Sequence, residues 1–252
     1  MSKIALITGA TSGIGEACAH LFAREHFNLV LTGRRIDRLE KLAKTLNTTY
    51  NTEIAVSSFD VREREQVICN LEELPAKWKK VNVLINNAGL SQGLDPIQNG
   101  SYDDWDTMID TNIKGLLYVS KVVSNWMIAN KFGHIVNLGS IAGKEVYPNG
   151  NVYCATKFAV DALNKAMRID LLPYGIKVTG IHPGAVETGF SEVRFKGDKE
   201  RAKKVYDGFE PLVAADIAET IWFAVSRPPH VNINDLTVMP TAQASAAIIA
   251  RK

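Results

Sequence analysis

The chain has 252 residues, 46% of them hydrophobic and 22% charged, enough apolar material for one large buried core. Its 29 Lys and Arg nearly balance 27 Asp and Glu for a net charge of +2, and the basic residues are scattered, which excludes a nucleic-acid-binding or membrane-surface field. Cys18, Cys69 and Cys154 form no paired or metal-ligating spacing, and no segment has a signal-peptide run or approaches about 18 uninterrupted apolar residues, so a soluble, cytoplasmic protein with reduced thiols is expected.

The first apolar run, KIALIT, reads as a strand and leads into Gly9, Gly13 and Gly15 before a helical pattern over 13–26. Glycines at such a junction allow a tight turn and a close backbone approach to a pyrophosphate, with the helix N-terminal N–H groups aimed at the anion. The spacing is G-x-x-x-G-x-G, not the commoner G-x-G-x-x-G. With a strand before it and a helix after it, dinucleotide binding is favoured over a purely steric turn. The second run, FNLVLT, ends in Gly33, Arg34 and Arg35. An acidic residue about 20 positions beyond the glycine turn ordinarily binds the ribose 2′-hydroxyl. Gly33 stands in that place and two cations follow, so NADP(H) is expected over NAD. Alone, two loop arginines would read as merely solvated; beside the glycine turn, a phosphate site is the better reading.

Helical patterns then occupy roughly 36–47, 62–79, 101–130, 151–172 and 214–226, alternating with the strand-like runs EIAVSSF, NVLINN, HIVNLG, IKVTGI and DLTVM. Strands rich in β-branched residues, alternating with helices, predict an α/β fold: a single-domain, doubly wound Rossmann-type parallel sheet of about seven strands with helices on both faces. No linker or repeat divides residues 1–252. The least regular stretch, about 187–212, mixes charged and aromatic residues and is expected to be a substrate lid. His20, His26, His134, His182 and His230 show no H-x-x-x-H or H-E-x-x-H spacing, so no metal is expected. Ser140 in NLGSIAG lacks the G-x-S-x-G elbow of a hydrolase nucleophile.

Several further motifs complete a pattern: FDV with Asp60, NNAG at 86–89, DTNIKG with Asn112, VNLGSIAG with Ser140, Tyr153 with Lys157 four residues on, and HPGAVET at 182–188. In this order and spacing, from Lys3 to about Ser245, the chain resembles the short-chain dehydrogenase/reductase family. The resemblance implies a catalytic set of Asn112, Ser140, Tyr153 and Lys157. It also implies cofactor contacts from Gly9, Thr11, Ser12, Gly13, Ile14 and Gly15 in the first turn, from Arg34 and Arg35, and from Asp60 and Val61 near the adenine. Asn87, Ala88 and Gly89 would lie behind the cofactor, Tyr153 and Lys157 beside its nicotinamide half, and Pro183, Gly184, Val186 and Thr188 around the carboxamide.

Tyr153 and Lys157 are one helical turn apart and share a face. A carbonyl that accepts hydride needs a proton, and an alcohol that is oxidised must lose one, so a group poised near neutrality serves both directions. Bringing a tyrosine from about 10 to about 7 requires roughly 4 kcal/mol. An ammonium about 5 Å away, at an effective dielectric near 20, supplies roughly 3 kcal/mol. By resemblance Lys157 also binds the nicotinamide ribose, and Asn112 carries a water-linked proton path to it. Ser140, at a strand's carboxyl end, is expected to donate to the substrate oxygen.

GSIAGKEVYPNGNVYCATKFAV, VETGFSEVRFKGD and HVNINDLTVMPTAQAS resemble the family's NADP-dependent 3-hydroxy acid dehydrogenases, whose substrates include serine, allo-threonine and 3-hydroxypropionate-type acids. Gly189 departs from that branch, which often carries Glu there. A carboxylate needs a counter-charge: Arg194 is the first candidate, with Lys196 and Lys144 behind it, against the alternative that these are solvated charges. A broad-specificity carbonyl reductase and a non-catalytic NADP sensor are the competing functions. The helical patterns at 101–130 and 151–172 are apolar over more than one face, which asks for a partner; the family makes that partner further copies, as a homotetramer.

Overall fold

The computed structural model describes residues 3–252. Its strands are β1 (Ile4–Ile7), β2 (Asn28–Gly33), β3 (Ile54–Ser58), β4 (Val83–Asn86), β5 (His134–Leu138), β6 (Lys177–Pro183), β7 (Val186–Glu187), β8 (Leu212–Val213) and β9 (Asp235–Val238). Its α-helices are α1 (Gly13–Arg24), α2 (Ile36–Tyr50), α3 (Arg64–Glu72), α4 (Tyr102–Ile109), α5 (Leu116–Asn130), α6 (Asn151–Leu171), α7 (Phe190–Arg194), α8 (Lys199–Lys204) and α9 (Ala214–Val225). Seven strands form one parallel sheet in the order β3-β2-β1-β4-β5-β6-β9, the expected doubly wound α/β Rossmann architecture.

The central strands are apolar on both faces because both faces are covered. Along β1, Ala5 and Ile7 point into a core built with Cys18 and Phe22 of α1, Leu39 and Leu46 of α2, and Ile217 and Ile221 of α9. Ile4 and Leu6 point the other way, against Val67 and Leu71 of α3 and Val119, Val123 and Met127 of α5. This two-residue alternation fixes the register, since a one-residue slip would exchange every side chain between the two cores. Each fully buried side chain such as Phe22 or Met127 contributes about 1.5–3 kcal/mol.

Two elements differ from the periodicity. The apolar pattern at 101–130 is not one helix: α4 and α5 are separated by a π-helical turn over Asp110–Gly115, whose wider ring inserts a residue without breaking the chain's direction. The pattern at 62–79 splits into α3 and a 3₁₀ turn at Ala76–Lys79, divided by Pro75. Most of the apolar residues on α5 are consumed by the sheet; Leu117 of α5 and Phe158, Ile169 and Leu172 at α6 stay exposed. No helix among the described residues is long and apolar enough to cross a membrane.

Strand order reverses between β1 and β4, and there the loops after the two strands diverge at the sheet's carboxyl edge. The glycine turn follows β1, the Asn87–Gly89 loop follows β4, and Ser140 follows β5. The 187–212 stretch rises over this edge as α7 and α8, and its two ends are joined by the short parallel pair of β7 with β8.

Candidate active site

Gly9 and Gly13 adopt left-handed φ values of +66° and +57°, which a side chain would strain. At Gly15 a Cβ would lie 2.4 Å from the Gly9 carbonyl oxygen and 2.5 Å from Asn87 Nδ2, so only glycine lets α1 start against the turn. Asn87 holds the turn from the neighbouring strand by donating from Nδ2 to the carbonyls of Thr8 (2.8 Å) and Gly9 (3.2 Å). Thr8 Oγ1 in turn accepts from the backbone N–H of Asn87 and of Ala88, both at 3.0 Å. Ser12 precedes α1 without a side-chain capping bond, and the first N–H groups of the helix, from Gly13, Ile14 and Gly15, lie at the open end of the turn.

Beside this cradle, Arg35 donates from Nη2 to Thr11 Oγ1 (2.6 Å) and Ser12 Oγ (3.1 Å). Its partners are hydroxyls, not carboxylates, and its pKa is lowered by burial and by repulsion from Arg38 and Arg34. Arg34 lies 3.7 Å from Asp60, which also accepts a bidentate grip from Arg62. Burial works to raise the Asp60 carboxyl, but the bonds from Arg62 win and hold it low. A cluster of guanidiniums with Arg35 lacking a carboxylate partner among the described residues fits a phosphate. Val61 places its side chain in the core, where it packs under Gly115.

Tyr153 and Lys157 share a face of α6 as their spacing predicts, and both are 7% exposed. Lys157 Nζ donates to the Leu138 carbonyl at 2.9 Å and has no carboxylate partner among the described residues. Burial lowers its pKa to about 8. An ammonium has three donors, so two remain open at the cofactor side of the site. Together with the glycine turn and Arg35, these open donors show that the residues present fit a dinucleotide carrying a 2′-phosphate.

Burial raises the Tyr153 pKa, and the groups that work against burial are the Arg194 guanidinium and then the Ser140 hydroxyl. Two cations flank the Tyr153 ring: Lys157 Nζ stands 6.0 Å from its centre and Arg194 Cζ 5.4 Å. Ser140 begins the 3₁₀ turn Ile141–Gly143 and accepts from the Ala142 N–H at 3.1 Å. That turn is pressed on α6: a Cβ at Gly143 would lie 2.5 Å from the Lys157 carbonyl oxygen.

Asn112 lies in the π-helical turn with both amide N–H groups and its oxygen engaged. It accepts from Leu90 N (2.9 Å) and donates to Leu90 O (2.8 Å) and Thr156 Oγ1 (3.0 Å), bracing the β4 loop against α6. Thr156 passes the bond on to the Tyr153 carbonyl at 2.8 Å. Pro183 ends β6, Gly184 donates to Val238 O (2.8 Å), and Val186 pairs with Leu212. Thr188 accepts from Phe190 N at 3.3 Å and stands over Gly13, which brings the loop after β6 to the first turn.

The 187–212 stretch carries Phe190 and Arg194 over Tyr153, with Arg194 Cζ 5.1 Å from the Phe190 ring centre. Arg194 Nη2 donates to Tyr147 Oη at 3.2 Å, while its buried Nε has no partner among the described residues. Gly93 N donates to the Arg194 carbonyl (3.0 Å) and Lys196 pairs with Asp104 (2.9 Å), so the 187–212 stretch rests on the far wall, and a pocket of about 160 Å³ lies between Arg194, Lys196, Gly93 and Asp104. Lys144 does not face this pocket: it pairs with Asp161 at 2.5 Å. Asp161, His182 and Asp235 cluster closely enough to hold a cation, and the Lys144 ammonium, 3.6 Å from Asp235, already supplies it. Tyr147, Phe190 and Thr156 carry no motif of their own in the sequence.

The family model for short chain dehydrogenases matches residues 3–199. An NADP-dependent 3-hydroxy acid dehydrogenase, YdfG of Salmonella typhi, is 43% identical over 246 residues, covering 97% of this chain and 98% of that protein. Sulfoacetaldehyde reductase 2 of Chromohalobacter salexigens is 45% identical over 248 residues, covering 98% of each. Among solved structures, the closed form of a serine dehydrogenase complexed with NADP⁺ superposes with a TM-score of 0.92 at 41% identity, covering 99% of both chains.

Proposed function

The chain belongs to the short-chain dehydrogenase family, and from that premise we propose that it interconverts the β-hydroxyl and β-keto forms of a small 3-hydroxy acid. It is an NADP-dependent oxidoreductase acting on a CH–OH group. NADP(H), when bound, supplies the hydride acceptor or donor.

The chain's own residues supply position and protons. The α1 N-terminus and Arg35 hold phosphate, the open donors of Lys157 hold the ribose hydroxyls, and the Asn87–Gly89 loop walls the site from behind. Ser140 donates to the substrate oxygen and Tyr153 moves the proton at that oxygen. Asn112 keeps the loop after β4 and the catalytic helix in register. Residues 187–212 serve as the lid that excludes water.

The observation that carries the substrate class is Arg194: a guanidinium stacked beside Tyr153, bonded to Tyr147, with a buried Nε still free. A buried donor without an acceptor is costly, and an anionic group on the substrate satisfies it. The 45% identity to a sulfoacetaldehyde reductase favours a second reading, a short aldehyde bearing a sulfonate, in which Arg194 grips that anion instead. Nicotinamide absorbance followed with L-serine, allo-threonine, 3-hydroxypropionate, sulfoacetaldehyde and neutral ketones separates the two. Equal kcat/KM for neutral and anionic substrates would leave a broad carbonyl reductase, and no turnover would leave a sensor.

The exposed apolar residues Leu117 and Phe158 are assigned to contacts between copies of the chain in a cytoplasmic homotetramer. Light scattering at micromolar concentration tests this; a monomer refutes it.

A further inference from the structure

His182, next to last in β6, is fully buried and packs against the residue that precedes Ser140. A Cβ built on Gly139 would lie 2.4 Å from His182 Nδ1 and 2.7 Å from its Cε1, so the imidazole takes the space that a side chain at 139 would need. The two strands are also tied here by a bond, because Gly139 N donates to the Ile181 carbonyl at 2.7 Å. Gly180 opens a second notch for the ring: a Cβ there would lie 2.7 Å from His182 Nε2 and 2.8 Å from Asp235 Oδ1. The ring does not line the cleft beside Tyr153, so any part it has in the reaction passes through a neighbour.

The orientation of the ring is fixed from its far edge. His182 Nε2 is bonded to Asp235 Oδ1 of β9 at 2.9 Å and lies 3.8 Å from Asp161 Oδ1 of α6. An ionised carboxylate only accepts, so Nε2 carries the proton. Burial lowers the pKa of the ring more than the bond to Asp235 raises it, which keeps the imidazole neutral. Nδ1 then faces the notch at Gly139 as a bare acceptor with no partner among the described residues. Asp235 is itself held by Arg168 at 3.5 Å and Lys144 at 3.6 Å, and Arg168 donates to the Val178 and Asn234 carbonyls. The charges therefore sit around the ring, and contact with Gly139 is made by shape.

We propose that His182 is a positioning residue for Ser140: a neutral wedge, keyed by Asp235, that fixes the backbone before the serine and hence the direction of its hydroxyl. This rests on the reading of Ser140 as the donor to the substrate oxygen. A group that must meet charge developing on that oxygen works only within about 0.5 Å of its productive place. Lys144 holds the far end of the Ser140 turn through Asp161, and His182 holds its entry.

The test is a double-mutant cycle with Ser140→Ala in the full-length protein. It reads the single-turnover rate of hydride transfer by nicotinamide absorbance, with whichever substrate of the panel above gives the highest kcat/KM. We expect His182→Ala to slow transfer at least about tenfold when Ser140 is present and less than about threefold in the Ser140→Ala background, with the Kd for NADP changed less than about threefold. His182→Gln, whose amide can still donate to Asp235, should keep most of the rate. Gly139→Ala presses a methyl on the ring from the other side and does not depend on His182→Ala folding. It should follow the same rule, slowing transfer at least about tenfold with Ser140 and little without it. Losses that multiply in both cycles, or full rates in both His182→Ala and Gly139→Ala, overturn the positioning role while leaving Ser140 as the donor. Ser140→Ala at full rate, or no turnover at all, instead removes the reading of Ser140 and this inference with it.

Discussion

Lys144 and Asp161 meet at 2.5 Å, joining the turn that begins at Ser140 to the helix that carries Tyr153 and Lys157. Asp161 lies one turn beyond Lys157, and its side chain is only 10% exposed. Burial works to raise its pKa, but the bonds from Lys144 and Lys165 hold it low. Lys144→Met strips the buried carboxylate of its nearest cation and frees the Ser140 turn. We expect kcat to fall about 10- to 100-fold with NADP affinity changed less than about threefold, and Lys144→Arg to recover most of the rate. Steady-state kinetics with cofactor-binding titrations check this; a loss confined to KM would contradict it.

Tyr153→Phe removes the proton donor without removing the ring that packs on Phe190. Turnover should drop by at least about a hundredfold while NADPH binding and thermal stability stay close to wild type. Retention of full rate would exclude Tyr153 as the acid.

Arg35 spans the end of β2 and the glycine turn, so Arg35→Asp places a carboxylate where a 2′-phosphate is expected. KM for NADP should rise about 10- to 100-fold, with the KM for NAD rising far less. Equal rises for both cofactors would show that the arginine serves the turn rather than the phosphate.

Lys157 links function to stability. Burial lowers its pKa to about 8, whereas in the unfolded chain it stays near about 10.4. The unfolded state therefore holds the proton more tightly, and stability must rise as pH climbs from about 8 toward 10. Below that window the free protein bears the full cost of the buried charge, on the order of 3 kcal/mol. Lys157→Met, inactive, should melt at a higher temperature than wild type at pH 7, and the gap should close as the pH rises. Calorimetry without cofactor at several pH values gives the comparison; a gap independent of pH would show that the lysine keeps its unfolded-state pKa in the fold.

Much of this architecture was written in short-range pattern. The sheet strands were visible because β-branched runs such as NLVL and IALI must be apolar on both faces of a covered sheet. The glycine turn was visible because its conformations exclude other residues. What stayed hidden depends on contacts distant in the chain. Arg194 finds Tyr147 47 positions away, and Lys144 abandons the cleft for Asp161, a choice that one charged residue among many does not announce. The break in the 101–130 pattern was equally silent, because a π-helical turn preserves the apolar stripe on either side of it. The expected roles of Tyr153 and Lys157 came from spacing and resemblance. Spacing brings the lysine close and says nothing of where its ammonium bonds.

The pairing of Val186 and Glu187 with Leu212 and Val213 brings the two stems of the intervening stretch side by side. Whatever the chain builds between them leaves and re-enters the scaffold through one doorway, so its length and chemistry can be exchanged without rethreading the hydride-transfer platform. Swapping that cassette between relatives with different substrates is the direct route to re-specifying the enzyme.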